Sequence, residues 1–155
     1  MAGEAVVWGE LLARTREMIM DEAGYHPGGA VRWKDEELLR FLFFGVTALE
    51  KIRPSVRYQG MRLVEREFPA VEPTAAQVEE ARAGKSGEAA DEAEAELRDS
   101  VVASASSAPV RVDRHYHEAL VHYAVYLAFQ MDENDATPSY RANMHKKRFE
   151  EAAQT

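Results

Sequence analysis

Apolar residues recur at three- and four-residue intervals in four stretches of this chain, which is the spacing of one face of an α-helix. The first stretch predicts a helix over Ala5–Ala23. The second runs from Leu38 to Ile52 and is apolar over more than one face, and Pro54 marks its end. We expect Asp35 to be the N-cap of this second helix.

The second half of the chain repeats the helical spacing twice. Arg114–Met131 predicts a third core helix capped by Asp113, and Ser139–Ala153 predicts a last helix with a weaker apolar face. Val56–Phe68 alternates poorly between apolar and polar residues. This stretch favours a short irregular strand pair or an extended arm.

The middle of the chain has a different composition. The whole sequence carries 27 acidic and 19 basic residues, a net charge of −8. Residues 72–108 hold nine of the acidic residues, three of the basic ones and 11 alanines, but no aromatic residue. Because large apolar side chains dominate the energy of burial, this segment is interpreted as an insertion between two parts that form the core.

Within this acidic insertion, helix propensity predicts two helices, over Thr74–Ala83 and Glu88–Val102. Ser100–Ala108 is small and polar and is interpreted as a linker. The predicted fold is therefore mainly α: a four-helix bundle with an extended β-like arm and an acidic Ala/Glu-rich insertion, all within one domain spanning residues 1–155.

Composition also excludes several classes of protein. The chain has no cysteine, which excludes a disulfide scaffold, a thiol nucleophile and cysteine-based metal sites. The most apolar stretches are too short for a transmembrane helix, and no secretory signal is visible at the N-terminus, so we expect a cytoplasmic site of synthesis. The negative net charge argues against a surface that wraps duplex nucleic acid.

One cluster has the side chains of a metal site. His115, Glu118 and His122 lie at i, i+3 and i+7 of the predicted third helix, and two imidazoles with a carboxylate suit zinc or iron. The two histidines are two helical turns apart, however, which is about 10 Å along the axis. Surface or interface histidines are therefore the favoured interpretation, and no metal site is predicted.

Two further runs have alternative interpretations. His145, Lys146, Lys147 and Arg148 could contact phosphates, but a solvated face that complements the helix dipole is more common. The aromatic run Phe41–Phe44 is most simply core, with a cofactor pocket as the weaker alternative. No Gly-x-Ser-x-Gly elbow or phosphate-binding loop is present. The residues therefore predict no catalytic site and no cofactor.

Two blocks of sequence carry a resemblance. The first runs from Arg32 to Pro54 and begins Arg32-Trp-Lys-Asp-Glu-Glu-Leu. The second runs from Val112 to Phe129 and begins Val112-Asp-Arg-His-Tyr-His-Glu-Ala-Leu-Val-His-Tyr. In their order and spacing they resemble the head–tail adaptor (connector) proteins of tailed bacteriophages, in particular those of short-tailed phages. The likeness covers about 95 of the 155 residues. The chain departs from the pattern at Phe43-Phe44-Gly45, where the family usually has an asparagine, and in its reduced β-rich central part.

The resemblance implies a structural virion protein and not an enzyme. Such adaptors form a ring of about twelve copies whose heterologous contacts close by rotation. The ring lies below the portal protein, prolongs the DNA channel without binding the passing DNA specifically, and docks a tail or nozzle protein. The protein would be assembled in the host cytoplasm, would have no membrane partner and would end in the virion. The candidate interface residues are Trp33, Phe41, Phe44, Tyr58, His145, Lys146, Lys147 and Arg148.

Two other classes of function remain open at this point. The first is a cytoplasmic interaction or regulatory module, whose acidic arm mimics nucleic acid or binds a basic partner. The second is a helical enzyme that depends on one or two metal ions.

Overall fold

The computed structural model describes residues 6–23, 33–53, 57–58, 61–62, 68–130 and 138–154, and the side chains of 6–19, 33–53, 68–130 and 142–154. Helices dominate these residues, so the prediction of a mainly α protein is confirmed. The elements in chain order are α1 (Trp8–Ala23), α2 (Asp35–Ile52), β1 (Arg57–Tyr58), β2 (Met61–Arg62), α3 (Ala75–Arg82), α4 (Gly87–Ser107), a 3-10 turn (Arg114–Tyr116), α5 (His117–Gln130) and α6 (Pro138–Ala153).

Helix α5 is the centre of the hydrophobic core. It packs most extensively against α6, then against α2 and α1. Its buried residues lie on nearly every side, which is typical of a helix surrounded by others. They are His117, Ala119, Leu120, Val121, His122, Ala124, Val125, Ala128 and Phe129.

A glycine lets α2 come close to α5. A Cβ atom at Gly45 would lie 3.4 Å from both the Cδ2 atom of Leu120 and the Cβ atom of Tyr123. A larger side chain at this position would therefore push the two helices apart. Phe43, two residues earlier, turns to the other side of α2, where its ring lies 4.9 Å from that of Trp8 and stacks on that of Phe68.

Helix α2 begins and ends close to the predicted positions. Lys34, and not Asp35, is the N-cap residue, and its backbone N–H donates to Oε1 of Glu37 at 3.3 Å. Asp35 is the first helical residue and instead accepts hydrogen bonds from Arg16 of α1. The helix ends at Ile52, two residues before Pro54. This is expected, because the residue directly before a proline is disfavoured in helical geometry.

The acidic insertion forms a helical hairpin, α3 and α4, joined by a turn with two glycines of positive φ. The predicted linker Ser100–Ala108 is wrong, because α4 continues to Ser107. The reason is a tertiary contact. Ala105 is buried in the core, and the N-terminal end of α1 passes so close to α4 that any side chain at position 9, which is a glycine, would contact Ser106. Small residues here allow close helix packing and do not mark a linker.

The predicted cap before α5 is confirmed, but the predicted first turn of this helix is wrong. The carboxylate of Asp113 accepts from the backbone N–H of His115 at 3.0 Å, but it caps a 3-10 turn, and the α-helix begins at His117. Just before this turn, residues 108–110 run beside the N-terminal segment. The N–H of Trp8 donates to the carbonyl of Ala108, and that of Val110 donates to the carbonyl of Val6.

The region of the predicted arm contains a short antiparallel ladder. β1 pairs with β2 through Arg57 with Arg62 and Tyr58 with Met61. The remaining parts of Val56–Phe68, up to residue 67, lie outside the described residues. No helix in the described part of the chain has both the length and the apolarity needed to cross a membrane.

Candidate functional site

Among the described residues, one large apolar side chain is mainly exposed to solvent, and it lies on α2. Phe44 is 53% exposed. Trp33, just before this helix, is half-buried and packs against the core. These two candidate interface residues are therefore accessible to different degrees, and Phe44 is the stronger of the two.

Two of the candidate interface residues are buried, so the prediction that they form an interface is wrong. Phe41 is in the hydrophobic core, and His145 is fully buried between helices. His145 lies three residues after Ala142 and four before Phe149, so helical periodicity turns all three to the inner face of α6. In the sequence, His145 is followed directly by three basic residues, so it was grouped with them and not with the apolar face of the helix.

The other basic residues of that run remain on the surface. Lys146, Lys147 and Arg148 are all exposed. The Lys146 ammonium lies 5.7 Å from the centre of the Tyr126 ring on α5, a cation–π distance. Tyr58 lies in β1, and its side chain is outside the part of the structure that is described.

The hairpin presents a row of acidic side chains to solvent. Glu88, Glu92, Glu96 and Asp99 are exposed, and their spacing of four, four and three residues places them on one face of α4. The row is roughly 16 Å long at the rise of an α-helix. We call these four residues the acidic row.

Two other acidic residues of the hairpin, Asp91 and Glu94, are paired inside it. Arg82 of α3 donates to Asp91 at 2.9 Å and to Glu94 at 3.4 Å, and Arg98 donates to Glu94 at 3.3 Å. The hydrogen bond to Asp91 is the main cause of a raised pKa for Arg82. The two contacts of Arg82 join α3 to α4, and the paired side of the hairpin is distinct from the acidic row.

An ion pair joins the hairpin to the core at its entry. Arg40 of α2 binds Glu72, just before α3, and this hydrogen bond is the main cause of a lowered pKa for the Glu72 carboxyl. The contact lies at the surface, where ion pairs contribute little to stability. It positions the start of the hairpin beside α2.

The histidine cluster considered as a metal site is divided by the structure. His115 is exposed, while His122 is buried with its Nδ1 atom 3.0 Å from Nδ1 of His145. Glu118 pairs with Arg14 of α1 and lies 3.8 Å from Nε2 of His122. Within the described ranges, no three metal-ligating side chains converge on one point. The contact between His122 and His145 joins two helices that are separate in sequence, so no local pattern indicates it.

His117 has a separate structural role. Its Nε2 atom lies 2.8 Å from the carbonyl oxygen of Val112, a hydrogen bond in which the ring nitrogen donates. Burial is the main cause of a lowered pKa for this imidazole. The neutral ring therefore fixes the segment before α5 to the first turn of that helix.

A shallow cleft of about 620 Å³ lies between α1, the start of α2 and the second half of α4. It is lined by side chains of both charges, including Arg16, Asp35, Arg98 and Asp99. Arg16 is already paired with Asp35, and Arg98 with Glu94. Because the lining carries both signs of charge, the cleft has no strong preference for a charged ligand.

No protein-family model, curated protein or solved structure matches this chain. The functional inference therefore depends on the residues and surfaces described above.

Proposed function

We propose that this chain is a structural virion protein, a head–tail adaptor that forms a ring below the portal protein. The ring would contain about twelve copies, extend the DNA channel and dock a tail or nozzle protein. In this proposal α1, α2, α5 and α6 are the adaptor's four-helix bundle, and residues 56–68 are its extended β-like arm.

The observation that carries the proposal is the contact between the two sequence blocks that resemble adaptors. The first block becomes α2 and the second becomes α5, and these helices approach closely at Gly45. The departure from the family pattern lies at this same place. Phe43 enters the core, Phe44 points to solvent, and Gly45 permits the close approach. One short motif thus serves both the internal packing and an exposed apolar contact.

The exposed features suit a protein that repeats around a ring. Heterologous contacts join different surfaces of neighbouring copies, so each copy needs two separate contact regions. In our proposal Phe44, with Trp33 and Tyr58, belongs to one region. The basic residues Lys146, Lys147 and Arg148 belong to the other, against a neighbouring copy, the portal or the tail.

The acidic row suits a position beside the DNA channel. Carboxylates repel DNA phosphates, so a wall that carries them lets DNA pass without specific binding. The row carries four exposed carboxylates, and none of them forms an ion pair with a described residue. We therefore place the hairpin towards the lumen. The chain would have no catalytic role and no cofactor, and it would be assembled in the host cytoplasm before entering the virion.

The test is native mass spectrometry of the chain with its portal protein, together with cryo-EM of the neck of purified virions. We expect a ring that binds the portal. Phe44→Glu should stay monomeric while keeping the wild-type circular dichroism, and Gln130→Glu, which adds the same charge at another exposed position, should still assemble. Absence of the chain from mature particles would refute the proposal.

The acidic row also favours a second candidate function. A cytoplasmic interaction module would use these carboxylates to mimic nucleic acid or to bind a basic partner. Deleting residues 72–108 would test this poorly, because Ala105 belongs to the core. Reversing two charges with Glu92→Lys and Glu96→Lys leaves the packed side of α4 unchanged. Loss of a soluble host partner in a pull-down with this variant would favour the second function.

A further inference from the structure

Phe44 projects from the outer face of α2. Its neighbours Phe43 and Gly45 face α1 and α5 respectively, and a helix turns by about 100° per residue, so Phe44 is directed away from both contacts. Removing an aromatic ring from water is favourable, and covering this mainly exposed ring requires a second molecule. The partner must therefore offer a recess of the size of one ring.

A pocket of that size lies elsewhere on the same chain, where the N-terminal part of α1 meets the start of α5. Its volume is about 170 Å³, and its lining includes Val6, Leu11, Arg14 and His117. None of the described lining residues belongs to α2. Phe44 and this α1/α5 pocket are therefore separate surfaces of one molecule.

The α1/α5 pocket suits a phenyl ring in size and in chemistry. A cavity of about 150 Å³ is large enough to bind benzene, so this pocket accommodates a single phenyl group. Val6 and Leu11 supply apolar contacts. Arg14 and Arg114 supply guanidinium groups, which are attracted to the faces of aromatic rings. Arg14 also pairs with Glu118, which positions its guanidinium at the pocket.

Exposed charges of opposite sign lie beside the two surfaces. Lys51 is seven residues after Phe44, on the same face of α2, and is exposed. At the α1/α5 pocket, Glu10 is exposed. Such charges steer two molecules as they meet and favour one register. A second copy of this chain carries both halves of the match in size and in charge.

We propose that Phe44 of one copy inserts into the α1/α5 pocket of the next copy, as a head-to-tail contact between identical chains. A side chain and a pocket on different surfaces make a heterologous contact, which repeats from copy to copy and closes into a ring when the rotation allows it. The inference rests on the proposed function, because it names the contact between neighbours in the adaptor ring. The basic residues of α6 are then left for the portal or the tail.

Two variants that each lose one side of the contact test the proposal. Phe44→Glu removes the ring and keeps the pocket, whereas Glu10→Trp keeps Phe44 and blocks the pocket with an indole ring at its edge. Each variant alone should associate about 30-fold more weakly than the wild type in analytical ultracentrifugation, which is the effect of losing an interface hot spot. An equal mixture of the two should form one-to-one pairs, because one chain supplies Phe44 and the other an open pocket.

Glu150→Trp is the matched control, because it adds the same ring at an exposed position of α6, and it should associate as the wild type does. Circular dichroism checks that each variant is folded. Wild-type assembly by Glu10→Trp would overturn the proposal, because it is the result expected of a symmetric contact in which Phe44 meets Phe44. An equal mixture that gives no pairs would overturn it as well.

Photo-crosslinking gives a second measurement that does not depend on the folding of Glu10→Trp. p-Azidophenylalanine in place of Phe44 keeps an aromatic ring of similar size, and mixing chains of natural and heavy nitrogen distinguishes links between copies from links within one copy. We expect links from position 44 to residues of the pocket, above all Val6 and Leu11. Links confined to other surfaces would refute the contact.

The contact and the adaptor function fail in different ways. A chain that pairs head to tail but is absent from mature virions would refute the adaptor function alone. A virion ring whose assembly is unaffected by both substitutions would refute the contact alone.

Discussion

Helices α2 and α5 differ from the hairpin helices α3 and α4 in what they bury. α2 buries eight residues, seven of them with large apolar side chains, and α5 is buried on nearly every side. α3 buries none, and α4 buries only Ala90 and Ala105. The core helices are therefore stabilised by removing apolar surface from water, whereas the hairpin depends on helix propensity, a cap and internal ion pairs.

Helix α4 combines an exposed part and a part that packs against the core. Its first half carries most of the acidic row and contacts α3, while its second half packs against α1. One end of this continuous helix therefore contributes little to folding, whereas the other end is part of the core. Most of the net negative charge of this protein therefore lies where the fold imposes few constraints, so it is available for an external role.

The largest expected difference is between two leucines. Leu120→Ala on α5 should lower the free energy of unfolding by about 2–5 kcal/mol, because it removes a fully buried side chain and leaves a cavity. Leu97→Ala on α4 is the matched control at a half-buried position and should cost less than about 1 kcal/mol. Urea unfolding measures both values, and equal losses would contradict the comparison.

Overpacking between α2 and α5 should come next. Gly45→Leu should cost about 1–3 kcal/mol, because its side chain meets Leu120 and Tyr123 in a closely packed contact. Gly45→Ala adds a single Cβ at 3.4 Å from both residues and should be much better tolerated. If thermal unfolding shows the two variants to be equally stable, the helices do not approach as closely as described.

The pH dependence of stability should contain a contribution from His117. Its pKa is lowered in the folded state, chiefly by burial, so the unfolded chain binds a proton that the folded chain excludes. Stability should therefore be retained above about pH 6.5 and fall as the pH decreases below it, by at most about 1.4 kcal/mol per pH unit. Urea unfolding at several pH values should give a shallower fall for His117→Gln. An unchanged slope would argue against this assignment.

The smallest expected effect is on the cap of α3. Oγ1 of Thr74 accepts from the N–H of Gln77 at 3.1 Å, and Oε1 of Gln77 accepts from the N–H of Thr74 at 2.8 Å. Thr74→Ala should destabilise α3 locally by about 1 kcal/mol, as seen by hydrogen exchange, without affecting α5. Ser86→Ala is the control, because the Ser86 side chain makes no capping bond to α4. Equal effects of the two substitutions would exclude the capping explanation.

The sequence predicted best what depends on local signals. The end of α2 before Pro54, the cap at Asp113 and the helices of the insertion all follow from nearby residues. The errors concern partners that lie far away in sequence. The small residues up to Ser107 are helical because they pack on α1, and His145 is buried because it meets α5.

The candidate site shows the same division. Charge and periodicity indicated the acidic insertion and the basic residues Lys146, Lys147 and Arg148 from the sequence alone. The separation of Phe41 from Phe44, one buried and one exposed, required knowledge of how α2 is oriented against α5. A helix with apolar residues on several faces does not reveal which of them remains in solvent.

Hydrogen exchange of the whole chain at neutral pH tests the comparison between core and hairpin most directly. We predict that amides of α2 and α5 exchange only through global unfolding, whereas those of α3 and the first half of α4 exchange through much smaller local openings. Protection in α3 equal to that in α5 would contradict the account, because the hairpin would then be an integral part of the folding unit.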